Sequence, residues 1–353
     1  MKSNNEYRIC NKCVLDNTAE EITFDEEGVC NFCHFFESLI KPQWHPNEFG
    51  WELLQAKLEE IKKYGKKRKY NCIIGISGGI DSSYLTYLAV KEFKLRPLVF
   101  HVDAGWNSEL AVKNIENIIT KLEIDLFTYV VDWEEIKDLQ RAYFKSGIAN
   151  LDVPQDHVFF AMLYHYAIKH KIKYVLTGSN FATESILPKS WGYDAMDSIQ
   201  IKDIHRRFGN VTLKSYPTIN FFKYFIYYPF VNRMEIIKPL NFMPYSKENA
   251  IKLLSDEIGW RYYGCKHGES RFTKFFQTYF LPIRFGYDKR KAHLSSMILS
   301  GQIKREQALK ELEKPPFQNI DIDEEKLFIA KKLDISLEEF DGYINLPKKT
   351  FKD

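Results

Sequence analysis

Cysteine is scarce in this chain and unevenly spread. Only six occur in 353 residues; four fall between Cys10 and Cys33, while Cys72 and Cys265 stand alone. At this length a small secreted disulfide scaffold is excluded, so the cluster needs another explanation. Long apolar runs are missing too. The most apolar stretch, Phe221–Phe230 (FFKYFIYYPF), has ten residues and contains Lys223, short of the ~20 a membrane span needs. It reads as aromatic core or as the wall of a pocket. The opening MKSNNEYRICNKC lacks the apolar segment of a signal peptide. Charge of one sign is not in excess either: 50 basic against 47 acidic side chains, a formal +3, which does not by itself call for nucleic acid. A cytoplasmic protein with no membrane and no nucleic-acid partner is expected.

What remains is an ordinary globular composition, 45% hydrophobic and 27% charged. At ~150 residues per domain the length allows about two domains, or one with appendages. Residues 48–64 place Trp51, Leu54, Leu58 and Ile61 at helical spacing. The basic run Lys62–Lys69 reads as a solvated face. Short apolar strands are expected at 71–76, 97–102, 126–131 and 174–177, with helices at 82–93, 108–122 and 158–170. Strands alternating with helices indicate an α/β fold with a parallel sheet covered on both faces. From Gly178 to Pro244 the pattern dissolves into aromatic-rich loops. Helices resume at 247–258, 272–280, 289–299 and 306–313, and Pro315-Pro316 opens a tail with helical patches.

Two stretches carry chemistry. Ser77-Gly78-Gly79-Ile80-Asp81-Ser82-Ser83 sits between an apolar strand and an amphipathic helix. Glycines let backbone N–H groups approach an anion, and the helix N-terminus behind them adds aligned donors. No G-K-[ST] or G-x-G-x-x-G is present here, which disfavours a Walker loop or a dinucleotide fold. The second stretch is Cys10-x2-Cys13 followed, 16 residues on, by Cys30-x2-Cys33. Two such pairs suit a closed, structural Zn²⁺ shell of four thiolates; disulfides and an iron–sulfur cluster are the alternatives.

SGGxDSS after an apolar strand is the signature of the PP-loop ATP pyrophosphatases, which cleave ATP between the α and β phosphates. The resemblance implies an adenine nucleotide alpha hydrolase-like fold, in which Ser77, Gly78, Gly79, Asp81, Ser82 and Ser83 hold pyrophosphate with Mg²⁺. By the same resemblance, Asp103 after the second strand and Gly178 and Asn180 in Thr177-Gly178-Ser179-Asn180 are candidate nucleotide contacts.

Over most of residues 7–305 the chain resembles the bacterial N-acetyl sugar amidotransferases of surface-polysaccharide and nonulosonic-acid pathways. The likeness rests on the cysteine opening, the PP-loop, LDVPQDH (151–157), TGSNFATES (177–185) and the block 264–302. It implies conversion of an acetamido to an acetamidino group on a small-molecule sugar through an adenylated intermediate. Ammonia is expected from a glutaminase and cyclase-like partner, since the chain shows no glutaminase motif. Arg271, Lys274, Lys289 and Arg290 are candidates for stabilising negative charge, or are surface charge. Gln155, Asp156 and His157 either reach the nucleotide or ammonia path or cap a helix. Glu184 is a candidate base or Mg²⁺ ligand, and 191–228 a sugar wall or core. The expected division is a zinc module (1–45), an ATP-binding domain (46–245, aromatic insertion near 190–235) and a helical region (246–353). The competing readings are a PP-loop tRNA thiolase, disfavoured by only two scattered cysteines outside the cluster, and a non-catalytic nucleotide-binding subunit.

Overall fold

The computed structural model describes residues 6–264, 266–318 and 320–350. Cys265, whose chemical role the sequence leaves open, lies outside them. Five strands form one parallel sheet: β1 (Cys72–Gly75), β2 (Pro97–Asp103), β3 (Leu126–Val130), β4 (Tyr174–Leu176) and β5 (Glu235–Ile237), in the order β3-β2-β1-β4-β5. Side-chain alternation sorts the sheet into two cores. Cys72, Ile74 and Val99 face one layer; Ile73, Leu98 and Phe100 face the other.

The helices follow in chain order. After the short α1 (Asn31–Phe35) come α2 (Glu48–Gly65), α3 (Ile80–Lys91), α4 (Glu109–Leu122), α5 (Trp133–Ser146) and α6 (Val153–Lys169). Next are α7 (Phe181–Glu184), α8 (Ser198–Phe208) and α9 (Lys247–Ile258). The C-terminal region holds α10 (Arg271–Phe275), α11 (Leu281–Phe285), α12 (Lys289–Leu299), α13 (Arg305–Leu312), α14 (Ile322–Lys332) and α15 (Leu337–Asn345). Residues from α2, α3, α4 and α9 cover one face of the sheet, those from α5 and α6 the other. This is the expected α/β architecture with a helical C-terminal region. No described helix is long and apolar enough to cross a membrane.

Three elements depart from the expectation. Helix α5 was not foreseen, although Ile136, Leu139 and Tyr143 lie at helical spacing; Glu135, Asp138 and Gln140 are buried beside them. They are buried for a reason: Glu135 accepts from the N–H groups of Lys214, Ser215 and Tyr216 at 2.6–3.0 Å, and Asp138 from those of Asn210 and Val211 at 2.8 and 3.0 Å. Strand β5 has only three residues and was read as loop. The aromatic run is core on one face only: Lys223–Val231 forms wide helical turns around Pro229, Tyr228 is buried, and Phe225, Tyr227 and Phe230 face solvent.

The tail after Pro315 belongs to the core. Phe340 is buried against Phe144 and Phe275, and the buried guanidinium of Arg284 donates to the carbonyls of Tyr343, Ile344, Gly147 and Pro347. The N-terminal module is tied to the C-terminal helices. Arg305 donates to the carbonyls of Cys10 and Cys13 at 2.8 and 2.9 Å, Val14 N–H donates to Ser295 Oγ at 3.2 Å, and Lys291 pairs with buried Asp16.

Candidate active site

The loop between β1 and α3 is held in its turn by neighbours. Gly78 has φ +84°, the left-handed region that favours glycine, and a Cβ there would lie 3.0 Å from the Ala111 carbonyl oxygen. The Gly78 carbonyl accepts from Trp260 Nε1 at 2.9 Å and Tyr263 Oη at 2.8 Å. Ser82 Oγ accepts from Ser77 N–H at 3.3 Å and donates to the Gly79 carbonyl at 3.2 Å, which fixes hydroxyls and backbone donors together. Gly178 in the loop after β4 lies so close to this turn that a Cβ would fall 2.7 Å from the Asp81 backbone. The two loops therefore meet at the N-terminus of α3, where an anion gains most from the helix.

A cavity of about 440 Å³ opens there, at the carboxyl ends of β1, β2 and β4, the place where open α/β sheets bind ligands. One end is built around two carboxyls. Asp81, in the first turn of α3, accepts from Tyr245 Oη; burial and the nearby Glu184 push it up to about 6 against the pull of Lys266 and Lys247. Burial raises Glu184 as well, but Lys266, 2.9 Å away, and His267 outweigh it and hold this carboxyl below its ordinary range. His293 of α12 is kept neutral: burial and the charges of Lys266 and Lys247 hold it well below its ordinary value. Its Nδ1 lies 2.9 Å from the Thr183 carbonyl and so carries the proton, leaving Nε2 as an acceptor.

The other end centres on Asp156 of α6. Its neighbour Asp152 accepts from Gln155 Nε2 at 3.0 Å, Thr273 Oγ1 at 3.1 Å and Gln277 Nε2 at 3.1 Å. Asp152 is thus fully engaged while Asp156 faces the cavity. Burial and Asp152 push Asp156 up to about 7, opposed by Lys289 and His267, with Glu269 adding to the rise. Burial raises Glu269, but His267 outweighs it and holds that carboxyl low.

Of the residues singled out in the sequence, Ser77, Gly79, Asp81, Ser82, Gln155, Asp156, Gly178, Glu184 and Lys289 line this one cavity. Gly78 shapes the loop from behind. Ser83 is buried beneath it. Asp103 is turned to its own loop, accepting from Gly105 N–H at 2.8 Å and Asn107 Nδ2 at 3.1 Å. Asn180 caps α7 through Thr183 N–H at 3.0 Å.

Four candidates lie outside the cavity lining. His157 is buried away from the cavity: its Nε2 accepts from Ile219 N–H at 3.0 Å, and its Nδ1 lies 2.7 Å from the Ala195 carbonyl. Arg271 pairs with Glu325 at 3.1 Å and stacks over Phe328, and Arg290 pairs with Asp288 at 2.7 Å and donates to the carbonyls of Glu311 and Lys314 at 3.3 and 2.9 Å; both hold the C-terminal helices together. Lys274 lies outside the cavity lining. The expected aromatic wall is displaced as well. The cavity rings are Phe100, Phe159, Phe160, Trp260, Tyr262 and Tyr263, none from 191–228. Sequence reasoning missed Asp152, Thr273, Gln277, Lys247, Lys266, His267, Glu269 and His293. The dense polar block Lys266–Ser270 was the available signal for three of these.

The four clustered cysteines are buried, with sulfurs all within 4.8 Å of one another. Cys10–Cys33, Cys13–Cys30 and Cys30–Cys33 are 3.8, 3.7 and 3.6 Å apart. Sulfurs ~2.3 Å from a tetrahedral Zn²⁺ stand roughly 3.8 Å from each other, so the donor set fits that ion. The N–H groups of Lys12, Cys13 and Cys30 point at Cys10 Sγ at 3.3–3.4 Å, which favours the thiolate. Cys72 is different: it is buried in β1, and burial pushes its thiol up, as for an inert core cysteine.

Two segments of the chain match known families. Residues 53–214 match the NAD synthase family, and residues 269–353 match the C-terminal domain of the LPS biosynthesis protein WbpG-like family. The chain thus carries an NAD synthase-type segment together with a WbpG-like C-terminal segment. An uncharacterized protein of Methanocaldococcus jannaschii, MJ1599, is 30% identical over 130 residues, 36% of this chain and 44% of that protein, so the match spans less than half of this relative. Among solved structures, NH3-dependent NAD synthetase from Campylobacter jejuni is 15% identical over 44% of this chain and 72% of its own, with a TM-score of 0.30. NMN synthetase from Francisella tularensis is 16% identical over 61% and 96%, TM-score 0.30. The tRNA thiolase NcsA from Methanococcus maripaludis, which carries a 4Fe-4S cluster, is 15% identical over 86% and 88%, TM-score 0.34.

Proposed function

We propose that this protein is an ATP-dependent amidotransferase that converts the acetamido group of an N-acetyl sugar to an acetamidino group, with ammonia supplied by a glutaminase partner. One observation carries the reading. The segment matched to an ATP-using family supplies Ser77, Asp81, Asp156 and Glu184, the segment matched to the WbpG-like domain supplies Glu269, Thr273, Lys289 and His293, and all eight line one cavity.

The chemistry balances within that cavity. The amide oxygen attacks the α phosphorus and pyrophosphate leaves. Ammonia adds to the resulting imidate carbon, and AMP departs with the former amide oxygen. The loop 77–82 would receive the pyrophosphate through backbone N–H groups and hydroxyls. Asp81 and Glu184 are carboxyls that raise one another's cost of ionisation, and a Mg²⁺ ion takes hard oxygens of this kind. Such an ion would neutralise charge on the departing phosphates. Lys266 and Lys289 place fixed positive charge at the two ends. Asp156 is the proton acceptor for the attacking nitrogen: raised to about 7, it is part ionised at neutral pH and able to pass the proton on. Phe159, Phe160 and Tyr262 offer rings to the apolar face of a sugar.

Incubation with ATP, Mg²⁺, ammonium chloride and a pool of N-acetyl sugars tests this. One sugar becomes lighter by the difference between O and NH, in step with AMP and pyrophosphate. AMP formation that leaves every sugar unchanged rejects the proposal.

A further inference from the structure

The aromatic run that the sequence assigned to core or pocket lies on the outside. In the wide-turned helix and the residues leading into it, Phe221, Phe222, Phe225, Ile226, Phe230 and Val231 are 41–76% exposed. The opposite face is anchored. Tyr224 and Tyr228 pack on Tyr164 of α6 with ring centres 6.1 and 5.7 Å away. Six large apolar side chains within eleven residues form a patch that water does not favour, and monomeric proteins seldom leave one uncovered.

Charge indicates what covers it. Residues 204–234 contain five Lys or Arg and no Asp or Glu. Arg206 and Arg207 are paired with Asp203, but Lys214, Lys223 and Arg233 flank the patch as exposed cations. Outward aromatics within a basic, acid-free segment match the requirements of an anionic bilayer surface, where rings settle among the headgroups and Lys or Arg meet lipid phosphates. The patch also leads to the site. Tyr164 contacts Phe160, 6.1 Å between ring centres, and Phe160 lines the cavity.

We propose that the Phe221–Val231 face docks the protein peripherally on an anionic membrane surface, with the Phe160 side of the cavity towards the lipid. This revises the expectation of no membrane partner and does not depend on the proposed reaction. The full-length chain is floated with vesicles of phosphatidylethanolamine and phosphatidylglycerol, and with phosphatidylcholine alone. The expected result is flotation with the anionic vesicles, weakened by high salt, and little with the neutral ones. Combined Phe221→Ser, Phe225→Ser and Phe230→Ser substitutions reduce the partition coefficient by about a hundredfold. Their positions are exposed, so an unchanged melting temperature certifies the fold. Joint Lys214→Gln, Lys223→Gln and Arg233→Gln substitutions remove the salt dependence. Wild-type protein that stays unbound with anionic vesicles overturns the proposal, as does serine-variant protein that floats equally well. A dimer dispersed by the serine substitutions, without vesicle binding, assigns the face to a second copy and also overturns it.

Discussion

Replacing Asp156 by Asn moves stability and activity in opposite directions, and the size of the first can be worked from the structure. A carboxyl pushed from 3.8 up to about 7 holds its proton more tightly in the folded chain than in the unfolded one. Between those two values the folded form binds more protons, so wild-type stability falls as pH rises through that window and levels off above it. At ~1.4 kcal/mol per tenfold change in proton affinity, the penalty has a ceiling of roughly 4 kcal/mol. Water in the cavity and the interaction with Asp152 reduce this, and a gain of about 1–3 kcal/mol is expected for the Asn variant above neutral pH. The gain shrinks towards zero as pH falls to about 4. Amidation falls about a hundredfold or more, the scale of a lost general base. Urea unfolding of both proteins across this pH range, beside a rate assay, reads both quantities. An Asn variant that is less stable above neutral pH, or whose gain does not vary with pH, refutes the electrostatic reasoning.

Lys266→Met removes the cation that holds Glu184 low. The Glu184 carboxyl then rises, and the acid limb of the pH–rate profile moves upward; an unmoved profile contradicts the pairing. The cysteine centre is expected to bind one Zn²⁺ per chain, by elemental analysis. Cys13→Ser lowers Tm by about 10 °C or more, since metal binding folds a segment with little core of its own; full stability without metal speaks against the centre. Phe340→Ala opens a void against Phe144 and Phe275 and costs about 3–5 kcal/mol in urea unfolding; a cost under about 1 kcal/mol contradicts the tail's place in the core.

Much of the sheet was legible because β1, β2 and β4 are short apolar runs bounded by turns, and α4 places Ile115, Ile118 and Leu122 on one face. The phosphate loop was legible because its glycines and hydroxyls are contiguous. Helix α5 was passed over although Ile136, Leu139 and Tyr143 keep helical spacing; what no local pattern shows is the role of its buried acids, which serve backbone N–H groups some 80 positions away, between Glu135 and Ser215. The cavity's cations were only half read for the same reason. Lys289 and Arg290 are neighbours in sequence, yet the turn of α12 sends one to the cavity and the other to Asp288. Lys266, His267 and Glu269 meet Asp81 and Asp156 only once α3, α6 and residues 266–270 converge.

The central claim is that the acetamido oxygen is activated by the nucleotide and leaves with it. An N-acetyl sugar labelled with a heavy oxygen isotope in the acetyl carbonyl tests this directly. The account predicts AMP carrying the label and an acetamidino sugar without it, in equal amounts. Label recovered in water, in pyrophosphate or still in the sugar while AMP accumulates would contradict it.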